Sequence, residues 1–284
     1  MTTSQTFKDI AVFFDTSDAG QRVLDTAARL ASTQQAHLIA ITTATPDKVQ
    51  PAESFARGAA IQEVISRRSS LAVAEILKAG QLLIKTAAKH GAEDAEFRVV
   101  APTESSNDSL SHALHCDLLV VGHPEAPGAP TSWSVNHALQ RAGVPLLILP
   151  DGWNGKLPGQ RITVAWNASR VARRALADAM PLLRRAQEVH LLIVDAPRHR
   201  EAHGEEPGAD MAAYLARHGA RVELQRLDSA GLPVAEVIEE QAQINQADLL
   251  VFGAYSRTRV SETVFGGVTR TLLSSAPLPL FVSH

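Results

Sequence analysis

The sequence predicts an α/β protein built as two tandem, doubly wound domains, each on a five-stranded parallel sheet. Three observations carry that expectation. Continuously apolar, strand-like runs alternate with amphipathic helical stripes, the pattern of a parallel sheet covered on both faces. Segments of the first half recur in the same order in the second. The length, 284 residues, suits two domains of roughly 150 residues each.

The elements follow from the repeat. Ala11-Val12-Phe13-Phe14-Asp15-Thr16-Ser17 matches Thr163-Val164-Ala165-Trp166-Asn167-Ala168-Ser169 at a separation of 152 positions. Each is an apolar strand ending in an Asx residue and a small turn residue. The next helix keeps that separation: Val23, Leu24, Ala27, Ala28, Leu30 and Ala31 map onto Ala175, Leu176, Ala179, Met180, Leu182 and Leu183, one helical face. Asp117-Leu118-Leu119-Val120-Val121-Gly122 recurs as Asp248-Leu249-Leu250-Val251-Phe252-Gly253. Ala142–Ile148 recurs as Ala276–Val282. The separations change between these pairs, as loop insertions and deletions in a duplicated domain require.

Each half reads strand–helix four times and then a final strand. In the second half the strands are expected near 161–166, 189–194, 221–227, 248–253 and 278–283. The helices are expected near 170–185, 209–218, 232–244 and 266–275, with Gly219 as a helix C′ residue and Pro233 at a helix start. In the first half, 59–90 reads as one long helix or two, weakly interrupted at Ser69-Ser70 and Gly80, and as packing surface. The Gly- and Pro-rich stretch from Pro150 to Gly159 divides the chain into domains 1–150 and 151–284.

Composition excludes several classes. Apolar residues make up 45% and charged residues 20%, with a net charge of −3, which argues against nucleic-acid binding through a basic surface. One cysteine, Cys116, excludes an intrachain disulfide and an all-Cys zinc site. The start is polar, without the apolar core of a signal peptide, and no apolar run approaches the ~18 residues of a membrane span. The expectation is a cytoplasmic protein without membrane or nucleic-acid partners.

A ligand crevice in an open α/β sheet lies beyond the carboxyl ends of the strands, where strand order reverses. Two second-half segments are expected to meet there. One is Trp166-Asn167-Ala168. The other is Gly253-Ala254-Tyr255-Ser256, the loop 257–265, and Gly266-Gly267-Val268-Thr269 opening a helix, whose N–H groups and dipole favour an anion. No G-x-x-x-x-G-K-[ST] occurs, so the arrangement is not a P-loop.

These residues resemble the universal stress protein family in its tandem form, and the resemblance spans nearly the whole chain. It implies Rossmann-like domains of the adenine-nucleotide alpha-hydrolase-like kind. The family's nucleotide motif is G-x2-G-x9-G-[ST] after the fourth strand. Gly253, Ser256, Gly266 and Gly267 follow that spacing with two departures, Ser256 for a glycine and Gly267 for a hydroxyl residue. Asn167 stands where ATP-binding members carry an acid. By this resemblance Gly253 and Gly266 flank the phosphates, Gly267 and Val268 offer backbone donors, Asn167 and Ala168 face the nucleoside, and Val194 lines the adenine pocket. Ser256 fits many turns but avoids positive φ. Arg257 and Arg259 read either as phosphate partners or as solvated loop residues, and the glycines either as a cradle or as tight-turn and packing positions. The implied ligand is ATP, with magnesium accompanying it, and the implied role is regulatory, in stress response.

The first half keeps the acid, Asp15, but its loop after Gly122 is shorter, carries three prolines and Glu125, and puts Ser132 and Trp133 where Gly266 and Gly267 stand. It is expected to be structural. The resemblance also implies that the last strands, Val144–Leu149 and Leu278–His284, face one another as an intrachain pseudo-dimer. A further homodimer would use 59–90.

Other constellations carry less. His199 and His203, with Glu201, Glu205 and Glu206, read as a solvated loop rather than a zinc site. His112, His115 and Cys116 offer too few ligands, and Cys116 reads as a packed thiol. No G-x-S-x-G elbow occurs and no general base for ATP hydrolysis stands out, so any hydrolysis is slow and incidental. The alternative to a nucleotide-binding regulator is a scaffold that acts through protein partners.

Overall fold

The structure, a computed structural model, describes residues 6–43, 59–92, 94–100, 111–130, 133–154, 156–196, 205–255, 267–275 and 278–284, and, within 59–90, the side chains of 66 and of 69 onward. Two compact units form, one of Lys8–Ala142 and one of Met1–Phe7 with Gly143–His284.

In the first unit β1 (Asp9–Phe13), β2 (His37–Thr43), β3 (Glu96–Val100) and β4 (Leu118–His123) form a parallel sheet in the order β3-β2-β1-β4. Helices α1 (Asp18–Gln34), α2 (Ala59–His90) and α3 (Val135–Arg141) complete it. Ser17 caps α1, its side chain accepting from the Gly20 N–H. The long stretch is one continuous helix of 32 residues. Ser70 stays in register by donating to the Ser66 carbonyl, and Gly80 lies against the Phe97 ring. The end of α2 is tied to α1 through Asp25, which receives Lys89 Nζ at 2.6 Å and His90 Nε2 at 2.8 Å. Burial works to raise the Asp25 pKa, but these bonds prevail and hold it below the usual carboxylate value. The helix expected between β3 and β4 falls mostly on 101–110, outside the described residues.

The second unit contains β5 (Leu146–Pro150), β6 (Arg161–Ala165), β7 (Glu188–Val194), β8 (Val222–Leu227), β9 (Leu249–Gly253) and β10 (Leu280–Ser283). Strands β10-β9-β6-β7-β8 form the expected five-stranded parallel sheet. The two last strands meet as expected: β5 pairs antiparallel with β10, with Leu280 opposite Ile148 and Val282 opposite Leu146, which covers an otherwise open sheet edge. The helices are α4 (Arg170–Asp178), α5 (Met180–Leu183), α6 (Ala209–Arg217), α7 (Val234–Ile244) and α8 (Gly267–Ser275). The single helix expected over 170–185 is divided at Ala179, because Pro181 lacks an N–H and its ring collides with the carbonyl four residues earlier. Gly219 ends α6 as expected. Its φ is +92°, its N–H donates to Ala216 and that of Ala220 to Leu215, the paired bonds of a Schellman turn.

The repeated aspartate before the fourth strand of each half has a shared structural purpose. Asp117 accepts the N–H groups of Lys8 and Asp9. Asp248 accepts those of Gly159, Gln160 and Arg161, each at 3.0 Å. Each carboxylate thus fixes the start of the first strand beside the fourth, satisfying donors that no neighbouring strand reaches. Replacing Asp248 by Ala is expected to cost about 1.5–3 kcal/mol, since bonds to a charged acceptor are lost. Urea unfolding checks this, a lower midpoint at unchanged slope being the expected result.

Candidate functional site

Strand order in the second unit reverses between β6 and β9, so the ends of these strands flank the crevice. The backbone of Trp166 closes on the β7 end by donating to the Leu192 carbonyl. Asn167 then forms an Asx turn, its Oδ1 accepting from the Ser169 N–H at 3.3 Å. Ala168 holds φ at +54°, an unusual setting for a residue with a Cβ, and Ser169 caps α4 through the Ala172 N–H. Asn167 is exposed and Ala168 half-buried at the mouth of the turn.

Val194 ends β7, half-buried. The residue after it was not singled out from the sequence. Asp195 is buried at φ +56° and accepts both the N–H and the hydroxyl of Ser229 at 2.9 Å, tying the exits of β7 and β8 together. A lone acid after an apolar strand gives a faint signal, and its partner lies 34 positions away.

Gly253 ends β9. A Cβ there would lie 2.3 Å from the Val171 carbonyl carbon and 2.4 Å from the Ala172 nitrogen. Its size is therefore dictated by the first turn of α4, the packing alternative raised from the sequence. Gly267 differs. It is exposed at the start of α8, and no described atom lies within 4 Å of its missing Cβ. The adjoining Val268 is half-buried, and Thr269 is buried with its hydroxyl accepting the Tyr255 N–H at 3.3 Å. Tyr255, at φ +57°, meets the His284 ring edge-on at 5.7 Å, and burial raises its pKa. The first N–H groups of α8 have no acceptor within the helix, so a phosphate is chemically suited to them. Ser256, Gly266, Arg257 and Arg259 lie outside the described residues, as do Glu201, His199 and His203.

The equivalent space in the first unit is filled by the chain itself. Asp15 keeps the Asx turn, accepting from the N–H and hydroxyl of Ser17. Over it, the loop after β4 brings Gly128 onto the Phe14 backbone so closely that a Cβ would sit 1.8 Å from the Phe14 carbonyl oxygen. Thr43, which holds the place of Val194, donates to the Gly128 carbonyl at 2.8 Å. Trp133 stacks edge-on against Phe13 at 5.8 Å. Cys116, in the same unit, is buried, donates to the Ala113 carbonyl and has its pKa pushed up to about 12 by burial, the environment of an inert thiol.

Comparison with known proteins bears on both units. The universal stress protein family model matches residues 6–150 and again 159–284. The chain belongs to the universal stress protein family. Its two matches make it a tandem member. Three solved structures resemble this universal stress protein over almost the full length. One from Archaeoglobus fulgidus, described as a universal stress protein, is 16% identical at a TM-score of 0.61, covering 97% of this chain and 95% of that one. A functionally unknown protein from Pseudomonas aeruginosa PAO1 is 16% identical at 0.59, covering 100% and 94%. A putative universal stress protein from P. aeruginosa UCBPP-PA14 is 16% identical at 0.57, covering 98% and 93%. These likenesses bear on fold alone. No curated protein matches the chain. Among the described residues no helix is long and apolar enough to cross a membrane.

The two glycines of this universal stress protein are separable by experiment. Gly253→Ala should destabilise by about 1–3 kcal/mol through overpacking, whereas Gly267→Ala should stay within roughly 0.5 kcal/mol of the parent. Thermal or urea unfolding of both variants checks the contrast.

Proposed function

We propose that the second half of this tandem universal stress protein binds an adenine nucleotide, ATP with magnesium, and that the chain works as a cytoplasmic regulator of stress response rather than as an enzyme. The observation that carries the reading is the exposed start of α8 at Gly267, standing clear of described atoms, on the strand–helix connection that follows the spacing of the family's nucleotide motif. The dipole of α8 and its first N–H groups, which have no acceptor within the helix, would supply the attraction for phosphate. Asn167 offers a ribose hydroxyl a hydrogen-bonding amide without a carboxylate's charge, and Val194 offers the base an apolar wall. Gly266 keeps its motif position by sequence, Ser256 stands in place of a motif glycine, and Gly253 contributes by admitting α4. The first half serves as structural partner, since Gly128 and Thr43 take the space a nucleoside would need.

Titration calorimetry with ATP, ADP and AMP, with and without magnesium, tests this reading. Saturable heat is expected for the parent. Gly267→Asp should abolish it while leaving the fold intact, because a carboxylate at a helix start suits the dipole but repels phosphate. Silence at millimolar nucleotide, or equal binding by the variant, would contradict the proposal.

A second reading, a scaffold acting through protein partners, has an observation of its own. Helix α2 exposes Val73, Leu77 and Ile84, at 55%, 62% and 72%, spaced to share one helical face. If this face pairs two copies, light scattering should give a mass near twice the 30.4 kDa of one chain. Leu77→Asp with Ile84→Asp should return it to one. A parent mass of one chain would count against this surface as a dimer interface.

A further inference from the structure

At the amino-terminal end of the second unit's sheet, away from the strand ends discussed above, β7 and β8 bring three potential ligands together. His190 on β7 stands opposite Glu223 on β8, and Glu188 lies two residues before His190 on the same face of β7. One ligand atom from each of the three lies within 4.8 Å of the others. His190 is the unusual member. Its side chain is only 6% exposed, yet Nε2 is buried without a hydrogen-bond partner. It points toward Glu188 Oε2, 3.5 Å away. A buried polar nitrogen left unsatisfied costs free energy, so a structural reason is called for.

The first unit supplies an internal comparison. There Ile39 stands opposite Glu96, as His190 stands opposite Glu223, and Ile39 is buried at 2%. The fold therefore accepts an apolar residue at this position. The polar surroundings differ in the same way: Ala11 pairs with Ile39, whereas Thr163 pairs with His190. In the second unit Thr163 Oγ1, Gln225, Gln241 and Asn245 form a connected hydrogen-bond network beside the imidazole.

We propose that Glu188, His190 and Glu223 form a site for a divalent transition-metal ion of the zinc type, clamping the edge strand β8 to β7. The 3.5 Å between Nε2 and Oε2 is close to the edge of a tetrahedron with bonds of about 2.1 Å, roughly 3.4 Å. Glu223 is exposed, its carboxylate held only by a 3.3 Å bond from the Gln225 amide among the contacts described, and it closes the remaining distance by turning toward the ion, with water completing the shell. Two carboxylates and one imidazole are mixed oxygen and nitrogen donors, which suit zinc and its neighbours better than calcium. Arg161 also faces the site, its Nη2 2.7 Å from Glu188 Oε2, offsetting one carboxylate and leaving one net negative charge. Burial lowers the His190 pKa, and Arg161 adds to this, while Glu188 and Glu223 oppose it. Burial thus works in favour of the neutral ring that a metal ligand requires. With metal on Nε2 the ring proton resides on Nδ1, 3.3 Å from the Gln225 amide nitrogen; Gln225 accepts it when the linked amides of Gln225, Asn245 and Gln241 turn over together, which keeps each donor of the network facing an acceptor.

The test is titration of the full chain, stripped with chelator, by Zn²⁺ with calorimetric readout, and by Co²⁺ with visible absorption. One ion per chain on these ligands is expected, with the intense d–d bands of a four-coordinate site and a rise in the thermal midpoint with metal concentration. His190→Ile installs the residue used by the first unit, so it should fold at least as stably as the parent and lose this site. Glu223→Gln, on the surface, should weaken binding about tenfold or more. His203→Asn, in a different histidine-bearing segment, should leave it unchanged. Absence of saturable binding to the parent, binding by His190→Ile equal to the parent's, or loss in His203→Asn alone would overturn the proposal. None of these results depends on whether the chain binds nucleotide.

Discussion

The constraint on which the molecule turns is steric. A parallel sheet whose strand order reverses leaves a gap past its carboxyl ends, because the helices leaving the two central strands depart toward opposite faces. Residues 8–142 close that gap with their own backbone, Gly128 lying on Phe14 so tightly that no side chain fits between them. In the second unit the close approach is elsewhere, at Gly253 against the first turn of α4. The start of α8 stays exposed at Gly267. One plan is thus worked out by different glycines: one seals, one packs, and one stands exposed where a helix begins.

Much of this fold was legible because duplication let the sequence be read against itself. Apolar strands paired at 152 positions, and the two aspartates before the fourth strands, identified the same elements twice. That β5 and β10 face one another followed from the family resemblance; their antiparallel register is a finding of the structure. The break at Ala179 leaves no trace in the hydrophobic pattern, because the helical stripe runs on through Leu182 and Leu183 and periodicity does not register the missing N–H of Pro181. For the candidate site, the residues themselves pointed to Asn167 and the α8 start, and the family resemblance added Val194, as expectations that nucleotide binding has yet to test. The sequence could not divide labour among the glycines, since a phosphate cradle and a close helix contact demand the same residue. That distinction depends on which atoms a Cβ would meet.

What sequence reading missed altogether depends on pairing across strands. Asp195 and Ser229 are far apart in the chain and meet only because β7 and β8 are neighbours. Glu188, His190 and Glu223 share a face only in the observed register, and a slip of one residue would turn the imidazole to the opposite face. Alternating polar residues in two successive strands were the available sign, but an edge strand alternates in the same way for solvent. Ile39 gives that sign its meaning, since it marks the imidazole as something added to a position the fold fills with hydrocarbon.

Amide hydrogen exchange of the whole chain, with and without ATP and magnesium, tests the central claim most directly, because it reads both halves of one molecule at once. The account predicts slower exchange on nucleotide addition at Gly267–Thr269 and around Asn167, with Phe14–Thr16 and Gly128 unchanged. Slowing confined to Phe14–Thr16 and Gly128, or no change in either unit at saturating nucleotide, would contradict it.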